Sequence, residues 1–546
     1  VAAARRAPLA AVLTAGLALA IGSWDTPAAA APAPVSTATS PARGDLGAAG
    51  AQANGGVLEA PSISADGRWV AFASAATNLV PDDTNGYPDI FVRDRTTGVT
   101  TRVSVADRGG QANGASSSPV ISADGRWVAF TSYASNLSLG DLNVFTGGAD
   151  VFLHDLVTGH TVRISSGMLG LSANGESDFP TISADGRYVG FDSTASNLVS
   201  GDTNQHGDVF VFDRQTNTIV RASQAADGTE ADAGSGLASI SADGSRIAFI
   251  SAADNLIDDD SNGYKDAFVK DLRTGGILRV NVSSNGKQAQ GDAQDVTLSP
   301  DGTAAAFTTA WPMTADDLNF SPDVYRHDLM TNQTTLLSRL GPDSGDVGYA
   351  YGASLDNSGD QIVFTAAIPG ANPTGSQVYL WDRRTGVTRR LTDPAADGTS
   401  HAVVISPDGA HVAWASPAQN LVPFDNNHAE DLFVMDPGGP TYPASGPTAM
   451  PPDVYPPHTT IVAGPPNAGA PSDVQFAFAA DETPVTFQCR WDVDRRSIGD
   501  EQGWTPCPQR LVRHLAAGPH RLEVRATDAA GNADPSPAVA AFNVGG

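Results

Sequence analysis

Seven times along this 546-residue chain the same phrase returns: a small residue, a tight Asp-Gly turn, a short apolar strand, an acidic loop, Asp before an apolar pair, a second turn and a Thr/Arg-rich strand. Its marker glycines are Gly67, Gly125, Gly186, Gly244, Gly302, Gly359 and Gly409, spaced 58, 61, 58, 58, 57 and 50 residues apart. A unit of this size with several short strands cannot bury its own apolar face. A fixed period of such units therefore predicts β-sheets repeated around an axis, a β-propeller. Repetition also argues against a single dedicated active site, because seven equivalent positions cannot all perform one catalytic role.

Four antiparallel strands are expected per unit. In the first, residues 61–64 form a short inner strand ending at Ala65-Asp66-Gly67. There Asp hydrogen-bonds its own backbone and Gly accepts positive φ. Residues 68–74 follow, with Val70 and Phe72 on one face. The same two positions hold Val128 and Phe130, Val189 and Phe191, Ile247 and Phe249, Ala305 and Phe307, Ile362 and Phe364, Val412 and Trp414. Period-2 placement of large apolar groups in every copy predicts packing between neighbouring sheets. The third strand reads Asp89-Ile90-Phe91-Val92-Arg93-Asp94, and an outer strand covers 99–103.

Ser-x-Asp-Gly-Arg-x-Val-Ala-Phe at 64–72 and Asp-Val-Phe-Val-Phe-Asp at 208–213 resemble the WD-like repeat of TolB-type propellers over about two-thirds of the chain. That family often has six blades; the seven copies here predict seven, with six as the alternative. The sixth copy is degenerate, with Asn357-Ser358-Gly359 at the turn and Gln377 in place of the third-strand Asp. The seventh has no outer strand of its own, because Asp436 runs into Pro437. A part of 33–50 is expected to supply it by pairing with 432–435. Gln52-Ala53-Asn54-Gly55, which echoes Gln111-Ala112-Asn113-Gly114, supports that placement.

The remaining regions frame the propeller. Residues 1–30 read as a signal peptide: Arg5 and Arg6, an apolar stretch at 10–21 too short to span a bilayer comfortably, and an Ala28-Ala29-Ala30 cleavage site. Sec and Tat export both stay open. Residues 31–60 form an N-terminal segment, 61–436 the propeller and 437–457 a linker with eight prolines, which favours an extended chain. A secreted, monomeric protein is expected. A net charge of −28 disfavours nucleic acid and anionic membrane surfaces as partners, and no membrane insertion is expected after signal cleavage.

Residues 458–546 have a different texture. Val485-Thr486-Phe487-Gln488-Cys489, Trp504-Thr505-Pro506-Cys507 and the 518–532 run resemble a bacterial Ig-like module. Alternation of Leu522, Val524 and Ala526 with polar neighbours fits half-buried strands of a β-sandwich. Two cysteines in an exported chain most simply pair, so Cys489–Cys507 is the expected disulfide.

Enzymatic signatures are sparse. There is no Gly-x-Ser-x-Gly elbow and no His-Glu-x-x-His. His154, His206, His327 and His428 each sit alone in a blade and read as loop or surface groups. The carboxylates Asp94, Asp155, Asp213, Asp271, Asp328, Asp382 and Asp436 recur with the repeat, which indicates turn capping. The most specific chemical signal is Asp258-Asp259-Asp260-Ser261-Asn262-Gly263-Tyr264-Lys265-Asp266. Here Asp258, Asp260, Asn262 and Asp266 have the spacing of oxygen donors to one structural Ca2+. Asx turns on a solvated edge are the competing reading, and they are preferred for the partial copies at Asp83/Asn85/Asp89, Asp202/Asn204/Asp208 and Asp425/Asn427/Asp431. No catalytic residue or other cofactor is expected. The preferred function is a non-enzymatic binding or scaffold propeller engaging an extracellular or cell-envelope protein or glycan, with the Ig-like domain as spacer or adhesive module. The alternative is a carbohydrate-active lyase or hydrolase with its site at the channel mouth. Under that alternative the functional residues would sit on the irregular stretches Trp311-Pro312-Met313, 349–351 and His401; degenerate repeat positions are the preferred reading of all three.

Overall fold

The structure, a computed structural model, describes residues 41–438 apart from 48–49, 108, 139–147, 340–348 and 368–374. It also describes residues 459–545 apart from 467, 481–484, 492–503, 528–532 and 535–536. The signal-peptide residues and nearly all of the Pro-rich linker lie outside the described residues.

Seven four-stranded antiparallel sheets form the propeller blades, in chain order. Blade 1 is Ser62–Ile63, Trp69–Ser74, Asp89–Asp94 and Val99–Arg102, from inner to outer strand. The predicted apolar pairs are fully buried in all seven copies, with Trp414 the most accessible at 1%. Each second-strand aromatic opposes a third-strand aromatic in register. Phe72 meets Phe91 at 5.9 Å, Phe307 meets Tyr325 at 5.4 Å and Trp414 meets Phe433 at 5.8 Å between ring centroids. Burying one such ring is worth about 2–3 kcal/mol, so these pairs form the spine of each blade. The degenerate sixth copy is a complete blade. Gln377 accepts a 2.8 Å hydrogen bond from Thr392, just as Asp89 accepts one of 2.5 Å from Ser104.

Blade 7 is completed from the other end of the propeller. Its strands His401–Ile405, Val412–Ser416 and Asp431–Met435 are joined by Ala42–Arg43, with Ala42 opposite Val434 and Arg43 opposite Phe433. Gly44 N–H then donates to Leu432 carbonyl at 2.7 Å. The outer-strand residue opposite the third-strand aromatic is Arg102, Arg163, Arg221 and Arg279 in blades 1–4. Arg43 therefore fills that same register position, so the closing segment supplies the side chain as well as the strand.

The Asp-Gly turns also join the blades. A turn amide of one blade donates to a turn carbonyl of the next, as Ala65 does to Ala123 and Ala184 does to Ala242. Gly125 has φ +71°, and a Cβ there would collide with the indole of Trp69 in the preceding blade. Gly67 stands in the same relation to His411 of blade 7, which closes the series around the ring.

Residues 459–545 form two further sheets, consistent with a sandwich. One holds Thr459–Ala463, Asp473–Ala480 and Arg510–His514. The other holds Ala468–Ala470, Ala538–Val544, Gly518–Thr527, Thr486–Trp491 and Thr505–Cys507. Cys489 and Cys507 are disulfide-bonded across two adjacent strands of the second sheet. Val474, Phe478, Leu522 and Val524 are buried in the core of this domain.

Candidate functional site

The loops between second and third strands share one propeller face with the interblade loops. On it the repeat keeps a second motif, Ser-x-Ala-x-Asn-Leu, at 74–79, 132–137, 193–198, 251–256 and 416–421. In each copy the Ser hydroxyl accepts from the Ala amide at 3.1 Å. The Asn clasps the preceding interblade loop. Asn78 Oδ1 accepts from Asn54 N–H at 2.9 Å while its Nδ2 donates to Gln52 carbonyl at 2.8 Å. The clasp repeats at Asn113/Asn136, Asn174/Asn197, Asp232/Asn255 and Asp397/Asn420.

Between blades 4 and 5 this clasp is missing. Trp311 N–H bonds Thr309 Oγ1 at 3.2 Å, which fixes Trp311 at the Ala position and places Met313 at the Asn position. A thioether cannot hold two backbone groups. The opposing Asn has become Gln290, whose amide turns back to the Ala289 carbonyl at 3.3 Å. Where the other described joints are tied shut, this one opens into two adjoining cavities of about 510 and 580 Å3 sharing Ser283, Asn285, Met313 and Thr314. Trp311 meets Phe320 edge-on at 5.9 Å, and Phe320 and Leu318 are 72% and 82% exposed. The sequence singled out Trp311-Pro312-Met313 and missed Gln290. Asn at three and Asp at two of the equivalent loop positions, with Asn in the Ser-x-Ala-x-Asn-Leu copies, was the signal that would have found it.

The channel mouth is a second irregular place. Inner strands of blades 2–7 carry register shifts, and Ser118, Phe179, Leu237 and Ala402 adopt left-handed φ of 50–55° there. Carboxylates receive the turned-out amides: Glu59 from Ser118 at 2.6 Å, Asp192 from Leu237 at 2.7 Å and Asp295 from Gly352 at 3.1 Å. Burial pushes Asp192 up to about 7 and raises Asp295. Tyr349 and Tyr351 stack at 5.4 Å on the inner strand of blade 6. On blade 7, His401 Nε2 lies 2.5 Å from Glu430 Oε1, and the hydrogen bond to that carboxylate raises the imidazole pKa.

The candidate calcium ligands of the fourth repeat lie in an ion-pair network. Arg279 Nη1 lies 2.9 Å from Asp260 and 3.2 Å from Asp266, so a guanidinium already stands between the two carboxylates. Asn262 turns its Nδ2 donor to Asp266 at 3.0 Å, and its Oδ1 accepts from Tyr264 N–H. Asp258 is exposed, outside this network. Both carboxylate oxygens of Asp260 are buried without a hydrogen-bond partner, and no group of three or more metal-ligating side chains occurs among the described residues. Arg102 does the same in blade 1, 2.9 Å from Asp83 and 3.3 Å from Asp89.

His154 and His327 also differ from expectation. Both are buried in third strands, their Nδ1 atoms 2.9 Å from Thr161 and Thr334 hydroxyls, and burial lowers their pKa, His327 to about 4. The recurrent strand-end carboxylates do cap turns: Asp94 accepts from Thr96 N–H at 2.9 Å and is gripped by Arg68 at 2.8 and 3.0 Å.

No family model and no curated protein matches the chain. Among solved structures it is similar to an oligogalacturonate lyase from Vibrio parahaemolyticus, at 12% identity and TM-score 0.45, covering 70% of this chain and 89% of that one. The β-propeller domain of the Trilobed protease from Pyrococcus furiosus matches at 13% identity and TM-score 0.43, covering 70% and 95%. TolB from Acinetobacter baumannii matches at 16% identity and TM-score 0.33, covering 64% and 76%. Likeness at this level carries no function, and the propeller rests on the strand pairing described above.

Proposed function

We propose that this chain is a secreted, monomeric, non-enzymatic binding or scaffold protein whose propeller engages an extracellular or cell-envelope protein or glycan. The observation that carries this reading is the untied joint between blades 4 and 5. A structural repeat that closes every other described joint with the same clasp has lost both partners there, and it exposes Phe320 and Leu318 beside a part-buried Trp311, apolar surface suited to a binding site. The C-terminal sheets, read as an Ig-like module, serve as spacer or adhesive domain. Affinity capture from culture medium and cell envelopes, alongside a glycan array, tests the proposal with the full chain as bait. Specific retention of a protein or glycan supports it, and an inert folded chain overturns it.

One observation favours the alternative, a carbohydrate-active lyase or hydrolase: the His401–Glu430 pair on blade 7 supplies an acid–base couple. Release of reducing ends or unsaturated products from polysaccharides, abolished by His401→Ala, would establish it.

A further inference from the structure

We infer that the groove between blades 4 and 5 binds a neutral oligosaccharide, with Trp311 and Pro312 as the platform for a sugar ring; this rests on the reading of the propeller as a binding module. The two walls differ in chemistry. One, from the interblade loop, presents Asn285, Gln288 and Gln290; the other presents Trp311 and Pro312 above buried Met313. Uncharged amides both donate and accept, which suits vicinal hydroxyls, and a flat apolar wall suits the C–H face of a pyranose.

The amides have capacity to spare. Gln288 spends its Nε2 on Asp259 carbonyl and Gln290 spends its own on Ala289, which leaves carbonyl oxygens to receive hydroxyl protons. Charge selects further. Lys287 and Asp316 stand on the two stretches of lining, one of each sign, in a chain of net charge −28. An anionic polysaccharide meets the repulsion of the whole molecule, and a polycation finds no concentrated carboxylates in the groove. Each cavity is within the range of about 300–1,000 Å3 usual for small-ligand sites, and their shared lining makes one continuous trough.

The repeat itself supplies the control. Replacing Gln290→Asn, Trp311→Ala, Met313→Asn and Thr314→Leu together writes the neighbouring blades' clasp into this joint, so the groove closes while the fold keeps its own consensus. The full chain is screened against arrayed neutral oligosaccharides (glucans, mannans, xylans and N-acetylglucosamine oligomers), and hits are titrated by calorimetry. The expected result is a neutral hit whose affinity falls at least 10-fold in Trp311→Ala and in the clasp-restored variant. Trp311→Phe should stay within a few-fold, and the restored variant should melt no lower than wild type. Equal binding by the restored variant overturns the site. Binding of acidic glycans alone, or of no glycan by a folded chain, overturns the ligand class. A protein partner held equally by wild type and restored variant leaves the broader binding reading standing while this inference fails.

Discussion

Gly125 shows how much one residue can carry: its φ of +71° makes the turn, and its missing side chain makes room for Trp69 of the previous blade. Gly125→Ala is expected to cost about 2–4 kcal/mol, combining left-handed backbone strain with a displaced indole, as read by urea denaturation. Trp69→Ala should make the same alanine less harmful, so the double mutant falls short of additivity. Arg279 carries a second prediction. With its guanidinium between Asp260 and Asp266, calcium or a chelator should leave the melting temperature unchanged. Arg279→Met should cost about 3–5 kcal/mol by stranding buried carboxylates. A calcium-induced rise in wild-type melting temperature would sink that assignment. The turn was legible in Asp-Gly, but Trp69 at its back was not, because that contact crosses a period of the repeat. The donor spacing at 258–266 was equally legible. The counter-charge was hidden because it arrives from the next strand, although Arg recurs at 102, 163, 221 and 279.

At the scale of the strand, the closing segment is the most exacting element. Arg43 lies 3.1 Å from Asp425 and 3.2 Å from Asp45, and it also pairs with Asp431. One guanidinium cannot balance three buried carboxylates. Burial, and then the charge of Asp45, push Asp431 up to about 8. The folded chain thus holds this proton more tightly than the unfolded chain does. The resulting stabilisation is complete below about pH 4, the unfolded carboxylate value, and is lost as pH rises through about 8. Melting temperature should fall between pH 6 and 9, and Asp431→Asn should flatten the part of that slope due to the seam; Asp192 contributes in the same direction. A slope unchanged by Asp431→Asn would refute the seam as its source. The need for a borrowed strand was legible from the missing outer strand after Asp436. The identity of Ala42–Arg43 was not, because two residues inside an Ala/Gly/Pro-rich run have no periodicity to read.

Across the whole molecule, the blade sheets and the sheets of residues 459–545 share no strand. The disulfide ties only strands of the C-terminal domain, its cysteines 18 positions apart in sequence. Reduction, or Cys489→Ser with Cys507→Ser, should lower the transition of that domain by about 2–4 kcal/mol and leave the propeller transition in place, as resolved by calorimetry. The propeller's own weak point is set by geography. Its other blade strands all pair with chain neighbours, but the closing contacts join residues 382 and 388 apart. Bringing such distant segments together costs about 2–3 kcal/mol more loop entropy than a contact within a blade. During synthesis the earlier strand must wait unpaired while six and a half blades are laid down as an open arc. The latch is therefore expected to be the last contact made and the first released. In hydrogen exchange, the Gly44 amide should exchange by an opening well below the global unfolding free energy, long before the Phe249 amide in blade 4.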